Sequence, residues 1–139
     1  MSFLPNIAAA VSALVLGFVW YHPKVFGTVW MRAAGISPDP TKVNFPIMML
    51  VSLVVPFIIS MPLNYQVSHP DENLAPFIHG FFHGSVYMGL MVATPIVGLN
   101  SYYENRGWNH FLVNAGYWVV TLGVMGGVLA MFFKPGEGM

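Results

Sequence analysis

Four long apolar runs divide the chain and limit the folds that are open to it. They cover approximately residues 3–21, 44–66, 74–99 and 108–133 of a 139-residue chain that is 56% hydrophobic and only 7% charged. A helix rises about 1.5 Å per residue, so about 20 apolar residues cross a hydrocarbon layer about 30 Å thick. The runs are too continuously apolar for the alternating strands of a membrane barrel. The sequence therefore predicts an all-α membrane protein in which residues 1–139 form one domain of four transmembrane helices.

The basic residues predict how these helices are oriented. Lys24, Arg32 and Lys42 lie in the first loop and Arg106 lies in the third, against Lys134 on the other side. Loops rich in basic residues stay in the cytoplasm. We therefore expect cytoplasmic first and third loops and periplasmic termini in a bacterial inner membrane. We also expect the first run to be retained, because it lacks the basic start and the small-residue cleavage site of a signal peptide.

The first loop contains its own helix signal over residues 23–34. Pro23 suits the first position of a helix and Gly35 suits its end, while the apolar residues between them recur at helical spacing. We predict a short helix lying in the membrane interface. The following SPDP, residues 37–40, predicts an extended turn, with Thr41 as the cap of the second long helix.

Small residues four positions apart mark the expected contacts between helices. Helices in lipid associate through close backbone approach and polar contacts, since lipid tails are as apolar as leucine. Such pairs occur on three of the four long helices and predict a tight bundle, a homo-oligomer or both: Ala9 and Ala13, Gly80 and Gly84, and Gly123 and Gly127.

Residues 77–84, FIHGFFHG, place two histidines inside an apolar run. Residues four apart share one face of an α-helix, and adjacent residues differ by about 100°, so His79 and His83 form a stripe beside the glycine stripe. Counting at about 1.5 Å per residue puts both in the outer half of the membrane. The same count predicts that a polar layer there also contains Ser12, Ser60 and Thr121.

Three roles are open to this histidine pair. Both rings can hydrogen-bond to neighbouring helices, line an aqueous or proton path, or ligate a metal or haem iron. Zinc usually needs a third or fourth ligand, and the nearest candidates, His69, Asp71 and Glu72, lie just outside the membrane. The sequence requires no cofactor, and leaves a metal or haem as one alternative.

Other function classes find no support in the sequence. The chain has no cysteine for disulfides or thiolate metal sites, and no basic stretch suited to nucleic acid. Its membrane-embedded serines lack an evident base and acid, and it has no glycine-rich phosphate loop. We therefore expect a protein that is not an enzyme.

Two stretches together resemble a known family. GFVWYHPKVFGTVWM, residues 17–31, and RGWNHFLVNAGYWVVTLGVMGGVL, residues 106–129, resemble the opening and final-helix patterns of the bacterial membrane-protein family called domain of unknown function 1761. The resemblance spans essentially the whole chain, supports four helices and implies no catalytic residues. It carries over one motif set: Gly17, Trp20, Tyr21, Pro23, Phe26, Gly27, Trp30, Asn114, Ala115, Gly116 and Tyr117.

Asn114 is the motif residue that most needs a partner, because it lies about two turns into its run. The Tyr21 hydroxyl and a carbonyl freed at Pro23 are both candidates.

For the whole protein, the sequence favours an oligomeric module in the lipid bilayer that binds or passes a small solute or ion, with His79 and His83 lining its outer half. The alternatives are an accessory subunit of a larger membrane complex and a metal or haem protein.

Overall fold

The computed structural model describes residues 2–36 and 43–134. Within these ranges the chain forms helices and no strand, which confirms the predicted all-α fold class. The helices, labelled in chain order, are α1 (Leu4–Trp20), α2 (Pro23–Ala34), α3 (Phe45–Val67), α4 (Pro76–Tyr103) and α5 (Trp108–Phe132).

Three of these helices, α3, α4 and α5, are long and apolar enough to cross a membrane. α1 has 17 residues, and it passes the same test only together with α2, from which it is separated by a bend of 49°. The described residues therefore supply three candidate spans, or four if the bent pair α1 and α2 counts as one.

The turn between α1 and α2 is built by His22. Its Nδ1 atom accepts a hydrogen bond from the Lys24 backbone N–H at 3.1 Å, and Pro23 then begins α2. The first five residues, Pro23–Gly27, form a wide π-helical turn before the α-helical part, Thr28–Ala34. α2 ends at Ala34 and is capped by Gly35, whose φ of 67° is a left-handed conformation that favours glycine. The helix thus covers the residues predicted for it.

α3 begins with an asparagine cap. The Asn44 side-chain oxygen accepts a hydrogen bond from the Ile47 backbone N–H at 3.2 Å. This contact satisfies one of the backbone donors left free at a helix start. The predicted turn over residues 37–40 and the predicted cap, Thr41, both lie outside the described residues.

α5 is the central helix of the bundle. Half of the most apolar 18-residue stretch of α5 is buried, compared with 17% of the corresponding stretches of α3 and α4. α1, α3 and α4 all pack against it. The buried core joins residues of α1, α3 and α5: Ala9, Ala13, Leu63, Val67, Leu122, Met125, Leu129 and Ala130.

The tightest helix contact joins α4 to α5 through glycine. A side chain at Gly80 would overlap the carbonyl group of Gly126, and one at Gly84 would overlap that of Leu122. The glycine stripe predicted on α4 therefore packs within the chain, against the α5 backbone.

The predicted glycine pair on α5 has a different role. Gly123 and Gly127 make room for the rings of Phe81 and Phe77 rather than for the α4 backbone. Sequence spacing missed Gly126, which faces Gly80 directly. On α1, Ala9 and Ala13 are fully buried in the core, as their small size allows.

α4 widens in its middle, where residues His83–Ala93 form a π-helix. Pro95 follows immediately in the next α-helical part, Thr94–Tyr103. Proline lacks a backbone N–H, and its ring clashes with the carbonyl four residues earlier in a regular α-helix. A wider turn before Pro95 relieves that clash, and Thr94 donates its hydroxyl to the Gly89 carbonyl at 2.9 Å.

Gly84→Ala tests the contact between α4 and α5. The added methyl group meets backbone atoms, which cannot rotate away, so we expect a loss of about 1–3 kcal/mol in unfolding free energy. Gly107→Ala is the matched control, because a side chain there meets nothing within 4 Å. Thermal unfolding of the detergent-solubilised variants, followed by circular dichroism, measures the difference. Equal stability of the two variants would contradict the contact.

Candidate metal centre

The loop between α3 and α4 turns back over the start of α4. Asp71 organises this turn, because its Oδ1 atom accepts hydrogen bonds from the backbone N–H groups of Asn73 at 2.7 Å and Leu74 at 3.0 Å. Pro76 then starts α4. The result is that His69, at the beginning of the loop, lies against the two histidines of α4.

Three imidazole rings meet at this point. The ring centroids of His69 and His79 are 4.6 Å apart, those of His69 and His83 are 5.3 Å apart, and those of His79 and His83 are 4.5 Å apart. One ring nitrogen from each residue lies within 4.8 Å of the other two. His79 is buried, His83 is half-buried and His69 is exposed, so the cluster extends from the protein interior to its surface.

Asp71 also contacts the histidine cluster. Its Oδ2 atom lies 3.5 Å from Nδ1 of His79, while Oδ1 remains in the loop turn. The backbone N–H of Asn73, followed by that of Leu74 and by His79, holds the pKa of Asp71 below its ordinary value, so the carboxylate stays ionised. A carboxylate on one imidazole nitrogen fixes the proton there and leaves the other nitrogen, Nε2, with a free lone pair.

Two nitrogens of the cluster are buried without a hydrogen-bond partner: Nε2 of His79 and Nδ1 of His83. An unpaired buried polar atom costs about 1–3 kcal/mol. The alternative in which both rings are satisfied by groups on neighbouring helices therefore does not describe these two atoms.

The predicted polar layer does not form as one group. Ser12 donates to the Ala9 carbonyl of its own helix at 2.7 Å, and Ser60 donates to the Phe57 carbonyl at 2.6 Å. Ser60 also accepts a hydrogen bond from Asn6 at 2.8 Å, and Thr121 is buried on α5. None of the three hydroxyls bonds to His79 or His83; those of Ser12 and Ser60 bond to carbonyls of their own helices instead.

A second polar cluster lies at the opposite end of the bundle. The Tyr21 hydroxyl donates to the side-chain oxygen of Asn114 at 2.6 Å, which is one of the two partners expected from the sequence. The Asn114 amide nitrogen lies 3.3 Å from His110 Nε2, and His110 Nδ1 lies 3.3 Å from the Ser101 hydroxyl. We call this chain of contacts the Tyr21–Asn114 network.

Aromatic rings enclose the Tyr21–Asn114 network. Tyr21 packs on Trp30 and Tyr117 at centroid distances of 5.5 Å and 5.2 Å. Trp20 donates its indole N–H to the Val113 carbonyl at 3.0 Å and packs on Phe26.

The glycines of the motif set provide space for these rings. A side chain at Gly116 would meet the Trp20 ring at 3.0 Å, and one at Gly17 would meet the Tyr117 hydroxyl at 3.3 Å. The two motif-bearing segments, far apart in the sequence, thus form one packed unit that joins α1 and α2 to α5.

This chain belongs to the family described as Protein of unknown function (DUF1761). The match covers residues 4–130 and includes both motif segments and the three histidines. No curated protein and no solved structure matches the chain significantly. The family assignment predicted from the motifs is confirmed.

Sequence reasoning named the residues of the histidine cluster but did not establish that they meet. It named His69 and Asp71 as the nearest candidates for further ligands, but placed them just outside the membrane and not against the histidine pair. The available signal was the pair of prolines, Pro70 and Pro76, which bracket a short turn; that the turn brings the loop back onto α4 was not predicted.

Tyr21→Phe tests the Tyr21–Asn114 network. It removes the hydroxyl donor and leaves the Asn114 oxygen unpaired, so we expect unfolding free energy to fall by about 0.6–2 kcal/mol. Tyr102→Phe removes a hydroxyl from a side chain that is 78% exposed and serves as the matched control. Unfolding curves of the two variants in detergent give the two unfolding free energies to be compared. A loss in the control as large as in Tyr21→Phe would refute a specific role for this hydrogen bond.

Proposed function

We propose that the protein is an integral membrane protein that binds a divalent first-row metal ion, with zinc as the main candidate, through His69, His79 and His83. The observation that carries this proposal is the meeting of three imidazoles with two buried and unpaired ring nitrogens. A metal ion would satisfy both nitrogens at once. The proposal narrows the expectation of a module that binds a small ion and adds His69 to the predicted pair.

The donor set favours particular metals. Imidazole suits zinc, copper, nickel and iron, whereas calcium and magnesium prefer oxygen ligands. Tetrahedral zinc with Zn–N distances of about 2.0–2.1 Å needs ligand nitrogens about 3.4 Å apart. The nitrogens here, within 4.8 Å of one another, would close on an ion by side-chain rotation. His69 has the freedom to rotate because it is exposed on a loop.

Asp71 supports the proposal from outside the ligand set. Histidines that bind metals almost always donate their second ring N–H to a carboxylate, a carbonyl or water. Asp71 beside Nδ1 of His79 matches this arrangement and leaves Nε2 as the metal-binding atom. A histidine serving only to fill space would need no such carboxylate.

We further propose four membrane spans in a bacterial inner membrane, with α1 as the first span and α2 lying in the interface as part of the first loop. The Arg106 guanidinium donates to the Ala34 carbonyl at 2.6 Å, so the first and third loops share one end of the bundle. Lys24 and Arg32 also lie on the first loop, which supports a cytoplasmic location for that end. The metal site then lies toward the periplasm.

The alternative of an accessory subunit loses some of its basis. It relied on the glycine faces as docking surfaces, but Gly80 and Gly84 already contact α5 of the same chain. A homo-oligomer remains a proposal that uses other faces of the bundle.

Zinc content tests the proposal directly. Purified protein equilibrated with zinc and then dialysed should retain about one ion per chain, since the described residues contain one set of three ligands. The double variant His79→Ala, His83→Ala should retain almost none. His22→Asn is the matched control, because it removes an exposed histidine and keeps a side-chain acceptor for the Lys24 N–H.

Elemental analysis of the three proteins, with circular dichroism to verify that each is folded, supplies the measurement. The proposal fails if folded wild-type protein retains no zinc, or if the double variant retains as much as the wild type.

Asp71→Asn tests the supporting carboxylate. The side-chain oxygen can still hold the loop turn, but an amide nitrogen then faces Nδ1 of His79 and cannot accept its proton. We expect zinc affinity to fall roughly 10- to 100-fold. Glu72→Gln neutralises the adjacent acidic residue and should leave affinity unchanged. Competition with a chromophoric zinc chelator measures both, and equal affinities would rule out a role for Asp71.

A further inference from the structure

A small cavity adjoins the histidine cluster. It has a volume of about 130 Å³ and is lined by both loop and helix residues: His69, Asp71, Leu74, His79, Ala130 and Phe133. A space of this size has room for a few water molecules or a small ligand. Two of the three proposed metal ligands form part of its wall.

The described side chains around the cluster supply three ligands and no fourth. Among the described residues, the group of histidine, cysteine and acidic side chains close enough to share an ion is limited to His69, His79 and His83. Asp71 is nearest to them, but Oδ1 is engaged by the loop turn and Oδ2 faces His79. Structural zinc sites have four protein ligands, whereas sites that bind exogenous molecules have three and keep one position open.

We infer that a metal ion in this site keeps one coordination position open toward the cavity and binds water or a small monodentate anion there. The inference rests on the proposed metal-binding function and adds a ligand class to it. Three neutral imidazoles, a divalent ion and the Asp71 carboxylate sum to a net charge of about +1, which suits one small anion. The cavity volume of about 130 Å³ has room for such an anion.

Cobalt substitution tests the inference with a visible readout. The full chain in detergent is loaded with Co²⁺, and azide is added while the visible absorption bands of the metal are recorded. We expect a saturable change in these bands, because azide enters the open position. Unchanged bands at saturating azide would overturn the inference and leave the proposed function standing. Absence of Co²⁺ bands in the folded protein would overturn both the proposed metal binding and the inference of an open position.

A cavity-filling variant shows where the open position lies. Leu74→Trp adds bulk at the cavity wall without removing a ligand, so Co²⁺ binding should persist while azide binding weakens roughly tenfold or more. Leu112→Trp makes the same change at an exposed position of α5 and is the matched control. If the two variants bind azide equally well, the open position does not face this cavity and the inference fails.

Discussion

The close approach of α4 to α5 is the contact on which the rest of the structure depends. Gly80 and Gly84 bring the α4 backbone against the carbonyl groups of Gly126 and Leu122. Helices in lipid gain little from hiding apolar side chains, so such backbone contacts determine how each helix is rotated. Because adjacent helical residues differ by about 100°, the glycine face against α5 places His79 and His83 beside the returning loop.

The helices and the family were predictable from the sequence because their signals are local. Apolar runs give helix positions directly, and the motif segments around Tyr21 and Asn114 led to a contact that the structure contains. The histidine cluster was only half predictable. His69 joins it through a turn held by the Asp71 side chain, and no periodicity in the apolar runs reports such a turn. Gly126 was missed because four-residue spacing marks a face without identifying its partner.

The two polar clusters divide the bundle into ends with different character. At one end, the Tyr21–Asn114 network joins hydroxyl, amide and imidazole groups to one another, so its members satisfy each other and stabilise the packing of α1 and α2 on α5. At the other end, ring nitrogens of His79 and His83 are buried without partners. Trp30 Nε1 and Thr121 Oγ1 are also buried without a partner, so the proposed metal site rests on two such nitrogens meeting a third imidazole and not on one unpaired atom.

X-ray absorption at the zinc edge of the zinc-loaded protein tests the central claim most directly, because it reports which atoms surround the ion. The account predicts nitrogen and oxygen neighbours at about 2.0–2.1 Å and the outer-shell scattering of about three imidazoles. A zinc ion surrounded only by carboxylate or water oxygens, without imidazole scattering, would contradict it, since such an ion would be bound away from His69, His79 and His83.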